Sequence, residues 1–99
     1  MSIVRSNKLP AQHPGAIFKK RILDRHKITI VQAAKLMHVN RPHLNNFVNG
    51  KVSVTAPLAY KLERSTGINA AFWLSLQTKY DLYVNSNLEV EAEPLYAFG

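Results

Sequence analysis

Apolar positions recur along the chain at helical spacing in five segments, and most of these segments open with a capping residue or a proline. The predicted helices run from Pro14 to about His26, from Thr29 to about Met37, between Asn40 and Gly50, between Thr55 and Gly67, and from Ala70 to about Tyr83. Residues 88 to 93 then alternate apolar and acidic side chains, as a half-exposed strand does. The sequence therefore predicts an all-α domain of five helices with a short strand-like or extended C-terminal tail.

The same pattern predicts which side of each helix is buried. The predicted inward residues are Ile17, Phe18, Ile22 and Leu23 in the first helix, Ala33, Ala34, Leu36 and Met37 in the second, Leu44, Phe47 and Val48 in the third, and Leu58, Ala59, Leu62 and Ser65 in the fourth. A chain of 99 residues is long enough for one such core. We divide it into a flexible arm (1–12), a helical domain (13–84) and an acidic tail (85–99).

The second and third helical patterns are short, capped and separated by a three-residue break. Thr29 and Gln32 form a capping-box pattern, and Asn40 caps the next helix. The small side chains of Ala33 and Ala34 would let another helix approach closely. This spacing is the plan of a helix-turn-helix, whose second helix lies in the major groove of duplex DNA.

The outward face of the third helix is polar and almost uncharged. Pro42, Asn45, Asn46 and Asn49 lie opposite its apolar side, with Arg41 and His43 at the borders. Arginine matches the guanine edge and asparagine the adenine edge, so Arg41, Asn45 and Asn46 are the predicted base readers. Pro42 could contact a thymine methyl group.

Phosphates would be met by residues at the ends of these two helices: Thr29, Asn40, His43 and Lys51, with Lys35, Lys19 and Lys20 as weaker additions. The net charge is +7, and all 13 Lys and Arg precede residue 85, where the three glutamates of the tail follow. A basic body of this kind suits a polyanionic partner, although charge alone could also serve solubility.

The sequence contains no motif for catalysis or metal binding. The four histidines lack the spacing of a helical zinc pair, cysteine is absent, and no serine lies in an activating motif. We therefore expect no catalytic residue, no metal and no cofactor, and a small hydrolase is the weakest of the functions considered. Without cysteines, a signal-like run or a membrane-spanning stretch, a cytoplasmic protein is expected.

The fifth helix carries a stripe of large apolar residues: Phe72, Trp73, Leu76, Tyr80 and Tyr83. Core packing accounts for part of this stripe. The remainder is a large apolar surface for so small a domain, and helix-turn-helix proteins commonly bind palindromic DNA as dimers. The sequence thus suggests a homodimer formed through this helix.

Several motifs together resemble the HigA-type antitoxins of the phage-repressor-like helix-turn-helix class. They are His13-Pro14-Gly15, Ala33-Ala34-Lys35-Leu36, Val39-Asn40-Arg41-Pro42, Val48-Asn49-Gly50-Lys51, Ala71-Phe72-Trp73-Leu74, Leu76-Gln77 and Tyr80-Asp81-Leu82. The resemblance covers residues 13 to 83. It implies a bacterial protein that binds and inhibits a small basic ribonuclease toxin, HigB-like, and represses their shared promoter as a dimer. The alternative is a stand-alone repressor with no toxin.

Two positions depart from the usual pattern of this class. His38 stands where the turn usually has glycine, so either its backbone adopts a positive φ or the turn differs. Ile30 replaces a glutamine that often helps to hold a phosphate, and Thr29 with nearby amides must serve instead. The tail lies outside the resemblance: it could bind a basic toxin, pair with a symmetry mate, or stay disordered.

Overall fold

The computed structural model describes residues 10–97, and within them the only regular elements are helices. α1 (Pro14–Phe18) continues into a π-helical segment (Lys19–Asp24). It is followed by α2 (Ile30–Met37), α3 (Arg41–Val48), α4 (Ala56–Thr66) and α5 (Ala70–Val84). The all-α fold of five helices is therefore confirmed. None of the helices in the described range is long and apolar enough to cross a membrane.

The predicted caps form where the sequence places them. The amide of Gln32 donates to Thr29 Oγ1 at 3.1 Å, and the amide of Thr29 donates to Gln32 Oε1 at 2.9 Å, which completes the capping box. Asn40 Oδ1 accepts from the amide of His43 at 2.7 Å. Asn69 Oδ1 likewise caps α5. Local side-chain chemistry thus determines where these helices begin.

The first helix ends two residues before its predicted end. Lys27 adopts the left-handed conformation (φ 55°), and the amide of Ile28 donates back to the Leu23 carbonyl at 2.8 Å. This turn directs the chain toward α2. Within the π-helical segment, Lys19 and Asp24 form an exposed ion pair with 3.1 Å between Nζ and Oδ2. Exposure makes that pair a minor contributor to stability.

Three large aromatic side chains from α1, α3 and α5 meet at the centre of the core. Phe18, Phe47 and Trp73 are each at most 1% exposed. The ring centroid of Phe18 lies 5.8 Å from that of Phe47 and 6.1 Å from that of Trp73. Because aromatic rings bury large apolar areas, this contact holds the third helix against the first and fifth.

Two predicted inward residues are exposed instead. Leu36 is 73% exposed, because Ala33, Ala34 and Met37 already provide the buried side of the short helix α2. Ser65 lies in the last turn of α4, where its hydroxyl donates to the Leu62 carbonyl at 3.3 Å. Both predictions followed helical spacing, which gives the direction of a side chain but not the extent of the neighbouring helix.

The acidic tail forms no strand within the described residues. Residues 88–97 have no regular secondary structure, and each of them is exposed. Of the two predicted forms, the single chain shows the extended one, because the described residues contain no strand to pair with the alternating segment. Of the predicted flexible arm, residues 1–9 lie outside the described range.

Candidate nucleic-acid interface

The third helix separates its apolar and polar faces as its sequence predicts. Leu44 and Phe47 are fully buried, and Val48 is nearly so. All eight residues proposed to contact DNA are exposed: Thr29, Asn40, Arg41, Pro42, His43, Asn45, Asn46 and Lys51. They are thus accessible to a partner, and their contact with DNA stays a prediction.

The proposed base readers have unengaged side chains. Arg41, Asn45 and Asn46 make no side-chain hydrogen bond or ion pair within residues 10–97. Asn49 differs, because its Nδ2 donates to the Asn45 carbonyl at 2.9 Å. Asn40 uses Oδ1 as a cap, which leaves its Nδ2 donors for a phosphate. The polar face therefore offers two kinds of side chain: unengaged ones within α3 and anchored ones at its two caps.

In the turn between α2 and α3, the backbone of His38 adopts a positive φ, which was one of the two predicted alternatives. His38 lies in the left-handed region, with φ 55° and ψ 44°. A non-glycine residue pays about 1 to 2 kcal/mol for this conformation. Lys61 of α4 donates its ammonium to the His38 carbonyl, a charge-assisted hydrogen bond that offsets part of that cost. The lysine lies 23 residues away, so no local sequence signal could have revealed it.

The residues expected to face DNA phosphates lie at the ends of α2 and α3. Thr29 begins α2, and Lys51 follows the left-handed Gly50 (φ 75°) that ends the third helix. Ile30 is half-buried and packs against the core. Its apolar side chain thus contributes to packing.

His13 has a structural role in the helical core. It is 8% exposed, and its Nδ1 accepts from the amide of Gly15 at 2.9 Å, which caps α1. Its ring packs edge-on against Tyr80 of α5 and Phe47 of α3, with centroid distances of 5.0 and 5.9 Å. His13 therefore joins three helices. Within the described range, no three His, Asp or Glu residues cluster as metal ligands would.

Stability should decrease on acidification because of His13. Burial lowers the pKa of His13 from its ordinary value of 6.5, while a hydrogen bond with the Val52 backbone and the charge of Asp81 act in the opposite direction. The unfolded chain therefore binds this proton more readily than the folded one. The contribution is fully present above pH 6.5 and decreases as the pH falls through that value toward the lower folded pKa.

Urea unfolding between about pH 7.5 and about pH 5.5 measures this effect. His13→Asn keeps a capping side chain and removes the titrating ring, so its unfolding free energy should vary less with pH than that of the original chain. The exposed His26 provides the matched control, His26→Asn, which should retain the full pH dependence. Equal pH dependence in the His13 variant and the original chain would contradict the assignment.

The apolar stripe of α5 divides between core and surface. Trp73 was predicted to lie in the dimer interface, but it is 1% exposed and packs inside its own protomer. Phe72 is 47% exposed, and Leu76, Tyr80 and Tyr83 are half-buried. These four can still contact a partner. The predicted interface did not include Leu82 and Val84, whose side chains also lie exposed on this helix.

The helix-turn-helix family matches residues 19–73, more than half of the chain. Antitoxin HigA-1 of Vibrio cholerae is 34% identical over 84 residues, which cover 85% of this chain and 79% of that protein. Virulence-associated protein A' of Dichelobacter nodosus is 44% identical over 71 residues, which cover 71% of this chain and 61% of that protein.

Among solved structures, the antitoxin HigA of Pseudomonas aeruginosa with the higBA promoter is 30% identical, with a TM-score of 0.76. The likeness covers 88% of this chain and 100% of that one. The family resemblance expected from the motifs is confirmed. The chain belongs to the HigA-type antitoxins of the helix-turn-helix family, which bind DNA and regulate transcription.

Proposed function

We propose that this chain is a sequence-specific DNA-binding antitoxin that neutralises a small basic ribonuclease toxin and represses its own operon as a dimer. The observation that carries the DNA part is the unengaged trio Arg41, Asn45 and Asn46 on the exposed face of α3. The similar Pseudomonas aeruginosa antitoxin was solved with promoter DNA, which supports the same kind of partner here. Arg41 would bind guanine, and the two asparagines would bind adenine edges.

The toxin and the dimer are supported by different observations. The Vibrio cholerae relative is named an antitoxin, and this chain covers most of its length. Phe72, Leu76, Tyr80 and Tyr83 leave apolar surface on α5, which a second copy would cover. A two-fold dimer would place two copies of α3 about one DNA turn apart.

The test of toxin neutralisation uses any small basic protein that is encoded beside this chain. That protein should cleave RNA, and the full-length chain should abolish cleavage at an equimolar ratio. Arg41→Ala is the matched control: it should weaken binding to the chain's own promoter while inhibition is retained, because Arg41 lies on the proposed DNA face.

The alternative outcome identifies the stand-alone repressor. If no neighbouring protein cleaves RNA, or if cleavage continues in excess of this chain, toxin neutralisation is wrong while promoter binding is unaffected. Ribonuclease activity of the purified chain itself, abolished by replacing its histidines, would instead establish the hydrolase.

A further inference from the structure

A groove of about 440 Å³ lies between the first helix and α5. Its walls are apolar, formed by Ile17, Ile22, Ile68, Phe72 and Leu76, with Arg21 as the charged residue of the lining. Phe72 is 47% exposed, and the four aliphatic residues are half-buried. No acidic residue belongs to the lining. The groove therefore suits an apolar segment that also carries negative charge.

The tail of the chain is such a segment. Leu88 and Val90 are 66% and 76% exposed, and they alternate with Glu89, Glu91 and Glu93. An extended segment puts alternate side chains on opposite sides, so one side of residues 88–93 is apolar and the other acidic. Six extended residues span about 20 Å. The tail leaves this amphipathic segment exposed along its whole length.

The tail is not buried against the groove of its own chain. The described chain measures 53 × 23 × 23 Å, which is long and narrow for five short helices. Residues 88–93 are each exposed, so this segment is not buried within its own chain. Its apolar side is therefore open to a second copy.

We propose that the groove receives residues 88–93 of a second copy, so that two copies exchange their tails. Leu88 and Val90 pack on the apolar wall formed by Phe72 and Leu76. The glutamates lie on the outer side of the segment, where the long, exposed side chain of Arg21 reaches them. This proposal rests on the dimer of the proposed function and names what covers the exposed part of α5. Arg21 would repel a basic toxin, and DNA phosphates do not bind an apolar wall. The acidic and apolar tail therefore fits the groove better than either of them.

Charge exchange tests the proposal on the full-length chain. The groove variant is Arg21→Glu, and the tail variant combines Glu89→Lys, Glu91→Lys and Glu93→Lys. Each alone sets like charges against each other and should weaken self-association about tenfold or more, measured by sedimentation at low salt. A one-to-one mixture of the two variants should associate as tightly as the original chain, because both grooves then face a tail of opposite charge.

Lys20→Glu is the matched control, since it makes the same charge change one position away from Arg21 and outside the groove lining. It should leave self-association within about twofold of the original. Circular dichroism confirms that each variant is folded.

Three results would overturn the proposal. If the two variants stay dissociated when mixed, the tail does not act across copies. If neither variant weakens self-association, the dimer exists but does not use this groove, and the proposed function is unaffected. If the original chain is monomeric at all concentrations, the dimer in the proposed function is wrong as well. Promoter binding and toxin inhibition are measured in separate experiments, so this result does not decide them.

Discussion

Replacing Gly15 by alanine should destabilise the domain by about 3 kcal/mol, which is toward the upper end for overpacking a core. A Cβ at this position would lie 1.7 Å from the Phe47 carbonyl oxygen, 2.6 Å from its carbon and 3.0 Å from Val48 Cα. All three are backbone atoms, so no change of rotamer relieves the clash. The first helix would have to move away from α3, and the contacts among Phe18, Phe47 and Trp73 would open with it.

Thermal and urea unfolding measure this effect, and the melting temperature should fall by more than about 10 °C. Gly67→Ala is the matched control. Gly67 ends α4 with φ 79° and nothing within 4 Å of the added Cβ, so alanine there should cost only the left-handed preference, about 1 kcal/mol. If Gly15→Ala costs no more than Gly67→Ala, the helices do not approach as closely as described.

Promoter affinity should decrease together with stability in the Gly15 variant. Gly15 lies against the backbone at the end of α3, the helix that carries the proposed base readers. A shift of that helix by even one ångström would misplace side chains that read base edges at hydrogen-bond distance. A variant that melts lower yet binds its promoter normally would show that α3 keeps its position by other contacts.

Arg41→Ala should weaken binding to the chain's own promoter by about 1 to 3 kcal/mol, roughly fivefold to 150-fold in affinity. Arg41 is exposed at the first position of α3 and has no partner among the described residues. Its loss therefore removes a base contact and should leave the fold intact. Binding to unrelated DNA should change much less, so the ratio of specific to non-specific affinity should fall.

Lys51→Ala provides the comparison for that experiment. Lys51 lies just after α3, where a phosphate contact is expected, so its loss should weaken binding to every DNA sequence alike and reduce the salt slope by about one. Fluorescence anisotropy at several salt concentrations separates the two effects. If Arg41→Ala leaves promoter affinity unchanged, the assignment of α3 as the recognition helix is wrong.

The helix boundaries and faces of the DNA-binding region could be predicted because they depend on neighbours within four positions. The capping box of Thr29 and Gln32 joins residues three apart, as does the cap of Asn40 on His43. The buried side of α3 follows from the same short period. Where the prediction failed, as at Leu36, the result depended on how far a neighbouring helix extends.

The predicted dimer surface shows the limit of such reasoning. Periodicity placed Trp73 beside Phe72 and Tyr80 on one stripe of α5, but a helix of 15 residues can be packed on more than one side. Trp73 entered the core against Phe18, and Phe72 was left half in solvent. Periodicity likewise left the tail either strand-like or extended, since alternation describes a strand only where another strand is present to pair with it.

The amino-acid sequence by itself determined the five helices, their caps, the polar face of α3 and the basic charge of the body, since each depends on residue type and local spacing. Only the tertiary structure decided that Gly15 touches the Phe47 backbone, that His13 joins three helices, and that Lys61 holds the carbonyl of His38. These contacts link residues 23 to 67 positions apart. They form because packing brings distant segments of the chain together, and the spacing of apolar residues along the sequence does not show which segments will meet.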